Sequence, residues 1–345
     1  MKFMDFRCSR NSTYFQQANI RLSYLKRQAS TVMIAASPDY GEKGIINNGM
    51  YLETINSLYP LFAGLDIGCG FYTCFFCGNA RAVKYRMERY TKSVSECYDM
   101  TQDALRTMKC SSNMLKYISI KLTPGNHFIE LRKVCDVFDS RVCDKLGISG
   151  DTYSLMIHMG SGEFIEGVTK NNILRCVQQC SQSQPNSQNG YSIKLQSDDA
   201  VSRQYLDHAD FCNRLAFYAR KCIAQYILGS VKALFEFDAP HDFFEERENH
   251  IFHFKSVQPF RVIQNENIAL MPGDKNDLAY LVKKGPAEFQ YTNHGLIYNT
   301  DPNGGFESSR ATILHCEQVG LSSPIVSLSP LAIIKNANNN IIFKD

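Results

Sequence analysis

No stretch of this 345-residue chain is apolar for long enough to cross a membrane as a helix. The most apolar segment, Leu58 to Gly78, is broken by Gly64, Asp66, Gly68 and Gly70, where about 18 uninterrupted apolar residues are needed. The opening MKFMDFRCSRN lacks the apolar run of roughly 7–15 residues and the small-residue cleavage site of a secretory leader, so a cytoplasmic location is expected. Charge of one sign is lacking too: 37 Lys+Arg stand against 34 Asp+Glu, a formal net charge of +3. That does not announce a nucleic-acid partner and forbids none, because phosphate binding follows local clusters of Lys and Arg. Solenoid-length internal repeats are absent. A disulfide framework is not expected either, since the 13 cysteines are an odd number scattered without the spacing of a small secreted scaffold. Cys74-Phe75-Phe76-Cys77 has C-x-x-C spacing, but no second pair follows and its surroundings are apolar, so core thiols are expected over a zinc ribbon.

What is present is enough apolar material for a core. With 44% hydrophobic and 21% charged residues the chain reads as folded, and its length suits one large domain or about two. Apolar residues from Val201 through Tyr205, Cys212, Leu215, Ala216, Ala219 and Ile223 recur at helical spacing, predicting a helix from Asp198 to about Leu228 with Ser197 or Asp198 as its cap. A second helix is expected over Ala80–Met108. Short apolar runs predict strands at Thr31–Ala35, Tyr117–Leu122, Tyr153–His158, Ile268–Met271, Ala279–Val282 and Leu331–Lys335. The order of these elements has no strict βαβ rhythm, which points to mixed α/β (α+β) layers. The polar segment 181–190, SQSQPNSQNG, reads as a linker or surface loop insertion, and Asn336–Asn340 as a second polar run.

Four of the eight histidines sit at the ends of apolar runs beside glycine or a turn: His127 in PGNHFIE, His158 in SLMIHMGSG, His241 in DAPHDFFEE and His294 in YTNHGL. Asp66 and Cys69 lie in GLDIGCG, where glycines let the backbone approach an ion or phosphate. Taken singly, a histidine near a strand end is more often a hydrogen-bonded structural residue than a functional one. As a set, one carboxylate, one thiol and several imidazoles suit Mn, Fe or Zn, and a thiolate can bridge two ions. Spacing alone does not bring them together. His250-x-x-His253 reads as surface or supporting residues rather than a ligand pair.

In chain order the motifs are SPD (Ser37–Asp39), GLDIGCG (Gly64–Gly70), PGNHFIEL (Pro124–Leu131), MIHMGSG (Met156–Gly162) and YLDHADFCNRLAFYAR (Tyr205–Arg220). They continue as PHDFFEE (Pro240–Glu246), HIFHFKS (His250–Ser256), MPG (Met271–Gly273), AYLVKKG (Ala279–Gly285), NHG (Asn293–Gly295) and PLAIIK (Pro330–Lys335). This ordered set resembles the RtcB family of RNA-splicing ligases over essentially the whole chain. The resemblance implies a single domain, 1–345, of central β-sheets flanked by helices. It implies two Mn²⁺ ions held by Asp66, Cys69, His127, His158 and His241, with GTP as the nucleotide. His294 becomes the residue that is guanylylated, Asn126 a phosphate contact, Glu130 an acceptor for the guanine edge and Lys335 a neighbour of the guanosine. Asp39 matches an aspartate near the site. The implied partners are RNA with 3′-phosphate or 2′,3′-cyclic phosphate and 5′-hydroxyl ends, and an activating protein partner of the kind some members need; no membrane is implied. The interleaved tyrosines and cations of Arg81–Lys92, with Lys84, Arg86 and Arg89, offer phosphate contact and base stacking, or else a solvated helix face.

The chain also departs from the family pattern. HGAGR reads HGLIY, with Leu296, Ile297 and Tyr298; the usual HN reads His241-Asp242, an added carboxylate that is itself a candidate ligand. HRKGA reads His253-Phe254-Lys255-Ser256-Val257, and PGSMG reads PGDKN, placing Asp274 where a serine would meet the nucleotide. Retained ligands with altered nucleotide loops leave two further readings open. One is a metal-dependent RNA cyclic phosphodiesterase or phosphatase; the other is a non-catalytic RNA-binding paralogue.

Overall fold

The computed structural model describes residues 1–8, 15–43, 46–64, 66–90, 126–161, 194–273, 277–295, 309–335 and 341–343. The expected strand at Tyr117–Leu122, the loop 181–190, the polar run at Asn336–Asn340, Asp274 and Leu296–Tyr298 lie outside them. In chain order the elements begin with β1 (Lys2–Asp5), α1 (Gln16–Lys26), β2 (Thr31–Lys43), β3 (Ile46–Ile55), β4 (Ser57–Leu58), β5 (Gly70–Cys77) and α2 (Ala80–Tyr90). There follow β6 (Phe128–Val137), α3 (Ser140–Leu146), β7 (Thr152–Met159), β8 (Leu195–Gln196), α4 (Ala200–Leu228), β9 (Ala233–Pro240), β10 (Asp242–Arg247) and β11 (His250–Lys255). The rest are β12 (Val257–Pro259), β13 (Arg261–Ile263), β14 (Glu266–Met271), β15 (Ala279–Lys284), β16 (Tyr291–Asn293), α5 (Ser309–Gln318), β17 (Ser322–Lys335) and β18 (Ile341–Phe343).

Two sheets dominate. The smaller runs β1-β2-β3-β11-β10; the larger runs β13-β14-β15-β17-β6-β7-β5-β9, with β18 added on β17, and the pairs β12-β16 and β4-β8 complete the set among the described residues. This is the mixed α/β architecture expected. Strand alternation explains how β5, GFYTCFFC, is buried on both sides: Tyr72, Cys74 and Phe76 pack on α2 and α4, while Phe71 and Phe75 face the opposite core with Phe128, Met156 and Phe237. The same alternation answers the C-x-x-C spacing. Cys74 is buried and Cys77 is exposed, because residues three apart on a strand point to opposite faces, so only one is a core thiol and the two cannot share an ion.

Helix α4 is the spine, about 43 Å long for its 29 residues. Its first half (Tyr205, Ala209, Cys212, Leu215) packs on the smaller sheet and its second (Ala219, Ile223, Ile227) on the larger. Its cap is Asp199 rather than Ser197 or Asp198, with no capping bond from the Asp199 side chain; instead the Asp199 N–H and the Ser202 hydroxyl both donate to Gln196 O at the end of β8. The second helix is described only to Tyr90. β2 runs well past Ala35, since its polar half pairs with β3 after an irregularity between Ala36 and Gly41. Among the described residues no helix is long and apolar enough to span a membrane.

Candidate active site

The two sheets meet where several strand ends converge. Cys69 precedes β5, His127 precedes β6, His158 is near the end of β7, and His241 follows β9. Register makes this convergence: Phe71 and Phe128 both pair with His158, and Gly70 pairs with Met159 on one side and Pro240 on the other. A side chain on Gly70 would stand 2.6 Å from Pro240 Cα, so glycine is needed for this close approach.

At that junction Cys69 Sγ lies 3.4 Å from His127 Nε2 and 3.2 Å from His158 Nε2. His158 Nε2 is 3.4 Å from His241 Nε2, and Asp66 Oδ2 is 2.8 Å from His127 Nε2. The donors form two triplets, Asp66/Cys69/His127 and Cys69/His158/His241, each with its atoms within 4.8 Å of one another, and Cys69 belongs to both. Donors about 2.0–2.3 Å from one tetrahedral cation stand roughly 3.3–3.6 Å apart, so the separations among Cys69, His127, His158 and His241 are close to those of metal ligands, while Asp66 and His127 stand at hydrogen-bond distance. The donor set of thiol, imidazole and carboxylate suits divalent ions, and the shared sulfur suits two.

Electrostatics act in opposite directions on the two acidic donors. Burial pushes the Cys69 thiol far up, aided by the charges of Asp66 and Asp242 and opposed by Lys255 and Arg220; a cation held there would favour the thiolate instead. Burial also pushes Asp66 up, but its bond to His127, the His127 charge and Lys255 together hold its carboxyl below the usual range. Asp66 also abuts the backbone of Gly160, where an added Cβ would fall 1.9 Å from Oδ1.

Arg220, fully buried on α4, fixes both flanks of the cluster. It pairs with Asp238 through two bonds of 2.8 Å and donates to Gly68 O and Met159 O at 2.6 Å, the neighbours of Cys69 and of His158. Below the imidazoles lies the ring of Phe71, with its centroid 4.5 Å from that of His158, 4.8 Å from His241 and 6.4 Å from His294. Neither Arg220, Phe71 nor Gly160 carried a separate sequence signal, because their roles exist only once three strands are aligned.

His294 stands beside the cluster, its ring 4.7 Å from that of His241. Its Nδ1 is 2.7 Å from Asp39 Oδ2, and an ionised carboxylate only accepts, so Nδ1 is the donor and the neutral form of the ring has its lone pair on Nε2. Ser37 Oγ donates to the other oxygen of Asp39. Thus SPD and NHG, far apart in sequence, form one unit.

A profile of the family described as tRNA-splicing ligase RtcB matches residues 120–295, just over half of the chain. The chain belongs to the RtcB family. It is also similar to RNA-splicing ligase RtcB2 of Escherichia coli, 23% identical over 267 residues, a match covering 74% of this chain and 65% of that protein.

The other residues singled out within this RtcB-family chain are placed as follows. Asn126 is exposed just before His127. Glu130 is wholly buried, accepting from Arg132 Nε at 2.7 Å; residues two apart on β6 share a face, which makes the pair. Lys335 ends β17 opposite Phe128, and its side chain lies outside the described residues. Asp242 is not among the clustered donors: its oxygens turn to Lys255 Nζ and the Ser256 N–H. His253 is neither surface nor site; it is fully buried, accepting from the Tyr59 N–H at 3.1 Å, and His250 pairs with Glu53. On α2, Arg86 donates to Ile227 O and Leu228 O and so caps the end of α4. Lys84 is half-buried, while Arg81, Tyr85 and Arg89 form the exposed stripe, one helical turn apart.

Proposed function

We propose that this chain is an RNA ligase that joins an RNA 3′-phosphate or 2′,3′-cyclic phosphate end to a 5′-hydroxyl end. The reading uses GTP as co-substrate, two Mn²⁺ ions and a covalent GMP adduct on His294. The observation that carries it is the Asp39–His294 pair set beside the clustered donors, since an imidazole whose Nδ1 donates to a carboxylate has, in its neutral form, its lone pair on Nε2, the atom a nucleophile needs.

The steps balance. His294 Nε2 gives its lone pair to the α-phosphorus; the P–N bond forms as the bond to pyrophosphate breaks, and pyrophosphate leaves with that electron pair. Asp39 holds the Nδ1 proton and offsets the positive charge the ring acquires. An oxygen of the RNA 3′-phosphate then attacks the same phosphorus, and the imidazole leaves neutral. Finally the 5′-hydroxyl attacks the activated 3′-phosphorus, loses its proton, and GMP departs. A 2′,3′-cyclic end first takes up one water to become the 3′-phosphate. Metal ions held by Asp66, Cys69, His127, His158 and His241 would supply stabilisation of negative charge on the phosphoryl oxygens.

One observation favours a second reading, a metal-dependent RNA cyclic phosphodiesterase or phosphatase. Glu130, matched to the guanine contact, is buried against Arg132. Incubation with Mn²⁺ and α-³²P-GTP, followed by denaturing electrophoresis, separates the two. An acid-labile, base-stable label that His294→Ala abolishes, with joined RNA as product, is expected. No label, with RNA-end opening that needs neither GTP nor His294, selects the hydrolase instead.

A further inference from the structure

Ser256, at the junction of β11 and β12, adopts left-handed backbone with φ 55 and is almost fully buried. A non-glycine residue there is strained, and persists where its surroundings over-determine it. All three of its polar groups are used. Its N–H donates to Asp242 Oδ1 at 2.8 Å, its carbonyl accepts from the His294 N–H at 3.1 Å, and its hydroxyl donates to Asn48 Oδ1. Asn48 Nδ2 reaches Asp39 O at 3.4 Å, and Asp39 Oδ2 meets His294 Nδ1. The bonds close a ring: Ser256, Asn48, Asp39, His294 and back to Ser256.

Asp242 ties that ring to the donor cluster. Its own backbone is part of the ligand loop, since Gly68 N–H donates to Asp242 O at 2.7 Å and the adjacent His241 N–H to Cys69 O at 2.8 Å. Its second carboxylate oxygen meets Lys255 Nζ, which also donates to Ala63 O at 3.0 Å. Both neighbours of the carboxylate, an ammonium and a peptide N–H, are donors only, so the position needs two acceptors. A carboxylate provides both; an amide provides one and forces a donor–donor contact on the other side.

We infer that Asp242 and Ser256 are positioning residues that set the place and aim of His294 relative to the clustered donors, with Lys255 as the counter-charge that makes a carboxylate the fitting residue at 242. The inference rests on the reading of His294 as the nucleophile, and its test separates the two. The variants are Asp242→Asn, the double variant Asp242→Asn/Lys255→Gln, and Ser256→Gly. In the double variant the new side-chain carbonyl at 255 accepts from the amide at 242, whose oxygen again serves the Ser256 N–H. Ser256→Gly keeps the left-handed backbone without strain and removes only the hydroxyl bond to Asn48, so it is the least disruptive of the three.

Asp242→Asn is expected to slow adduct formation at saturating GTP by about 10- to 100-fold, the scale of an ångström-level misplacement, with half-saturating GTP and Mn²⁺ affinity nearly unchanged. The double variant recovers most of the rate, and Ser256→Gly shows a smaller loss. Independently of activity, ¹⁵N-histidine NMR of the metal-free, nucleotide-free protein reports His294 directly. A single Nδ1–H tautomer is expected in the parent and the double variant, and a mixture in Asp242→Asn. A loss confined to GTP half-saturation or to Mn²⁺ affinity overturns the inference, as does a double variant no better than the single one. If the parent forms no adduct, the ligase reading falls and the NMR decides alone: an unchanged His294 tautomer in Asp242→Asn overturns the positioning role, and a mixture upholds it.

Discussion

Replacing Gly160 by alanine isolates the role of Asp66. The backbone of Gly160 is outside the left-handed region, so a side chain brings no conformational penalty of its own. The obstacle is one carboxylate: the new Cβ would lie 1.9 Å from Asp66 Oδ1, 2.4 Å from Cγ and 2.6 Å from Oδ2. Carbon and oxygen in contact need about 3.3 Å, so the carboxylate must retreat by roughly 1.4 Å. Because it is the end of a partly exposed side chain, the retreat is cheap, and folding stability should change by less than about 1 kcal/mol. A metal–oxygen bond of about 2.0–2.2 Å does not survive a move of that size. One triplet, Asp66/Cys69/His127, therefore drops to two donors while Cys69/His158/His241 is intact. Calorimetric titration of stripped Gly160→Ala with Mn²⁺ should show one of two binding events weakened by about 10- to 100-fold or lost, beside an unshifted thermal midpoint. Two events of parental affinity would refute Asp66 as a ligand; a collapse of both events with the thermal midpoint would refute the claim that the change is local.

Three further outcomes follow from the same structure. His253 is buried and its pKa is lowered to about 3 by desolvation, so the folded protein keeps it neutral while the unfolded chain takes up a proton below about 6.5. Stability should fall as pH drops from about 6.5 toward 3, by up to about 1.4 kcal/mol per pH unit from this residue, and urea midpoints of His253→Gln should show a shallower slope. Arg220→Lys cannot hold Asp238, Gly68 O and Met159 O together; a loss of about 3–5 kcal/mol in chemical denaturation is expected, and a loss under 1 kcal/mol would contradict the bracing role. Arg86→Ala should cost about 1–3 kcal/mol through the uncapped end of α4 and leave the salt slope of RNA binding unchanged, whereas Arg89→Ala should lower that slope by about one with little effect on stability.

Local pattern was enough for the parts of this protein that depend on neighbours in sequence. The helical spacing from Val201 to Ile223 marked α4, and the strands at Tyr153–His158, Ile268–Met271 and Ala279–Val282 fell within observed ones, because burial of a periodic face is written directly into residue order. The ordered motifs pointed to the RtcB family and to Asp66, Cys69, His127, His158, His241, His294 and Asp39 together. Residue chemistry set the kind of site those groups can make. What pattern could not supply is anything that depends on two distant strands sharing a register. The pairing of β5 with β7 and β9 decides that Cys69, His158 and His241 meet, that Arg220 braces them from α4, and that a side chain at Gly160 would meet the Asp66 carboxylate. The same holds for residues whose type suggested another role. Arg86 looked like a phosphate contact and is a helix cap; Asp242 looked like a spare ligand and is claimed by Lys255 and the strained Ser256. A side chain's type states which bonds it can make, and only the packed chain determines which partners come within 3 Å.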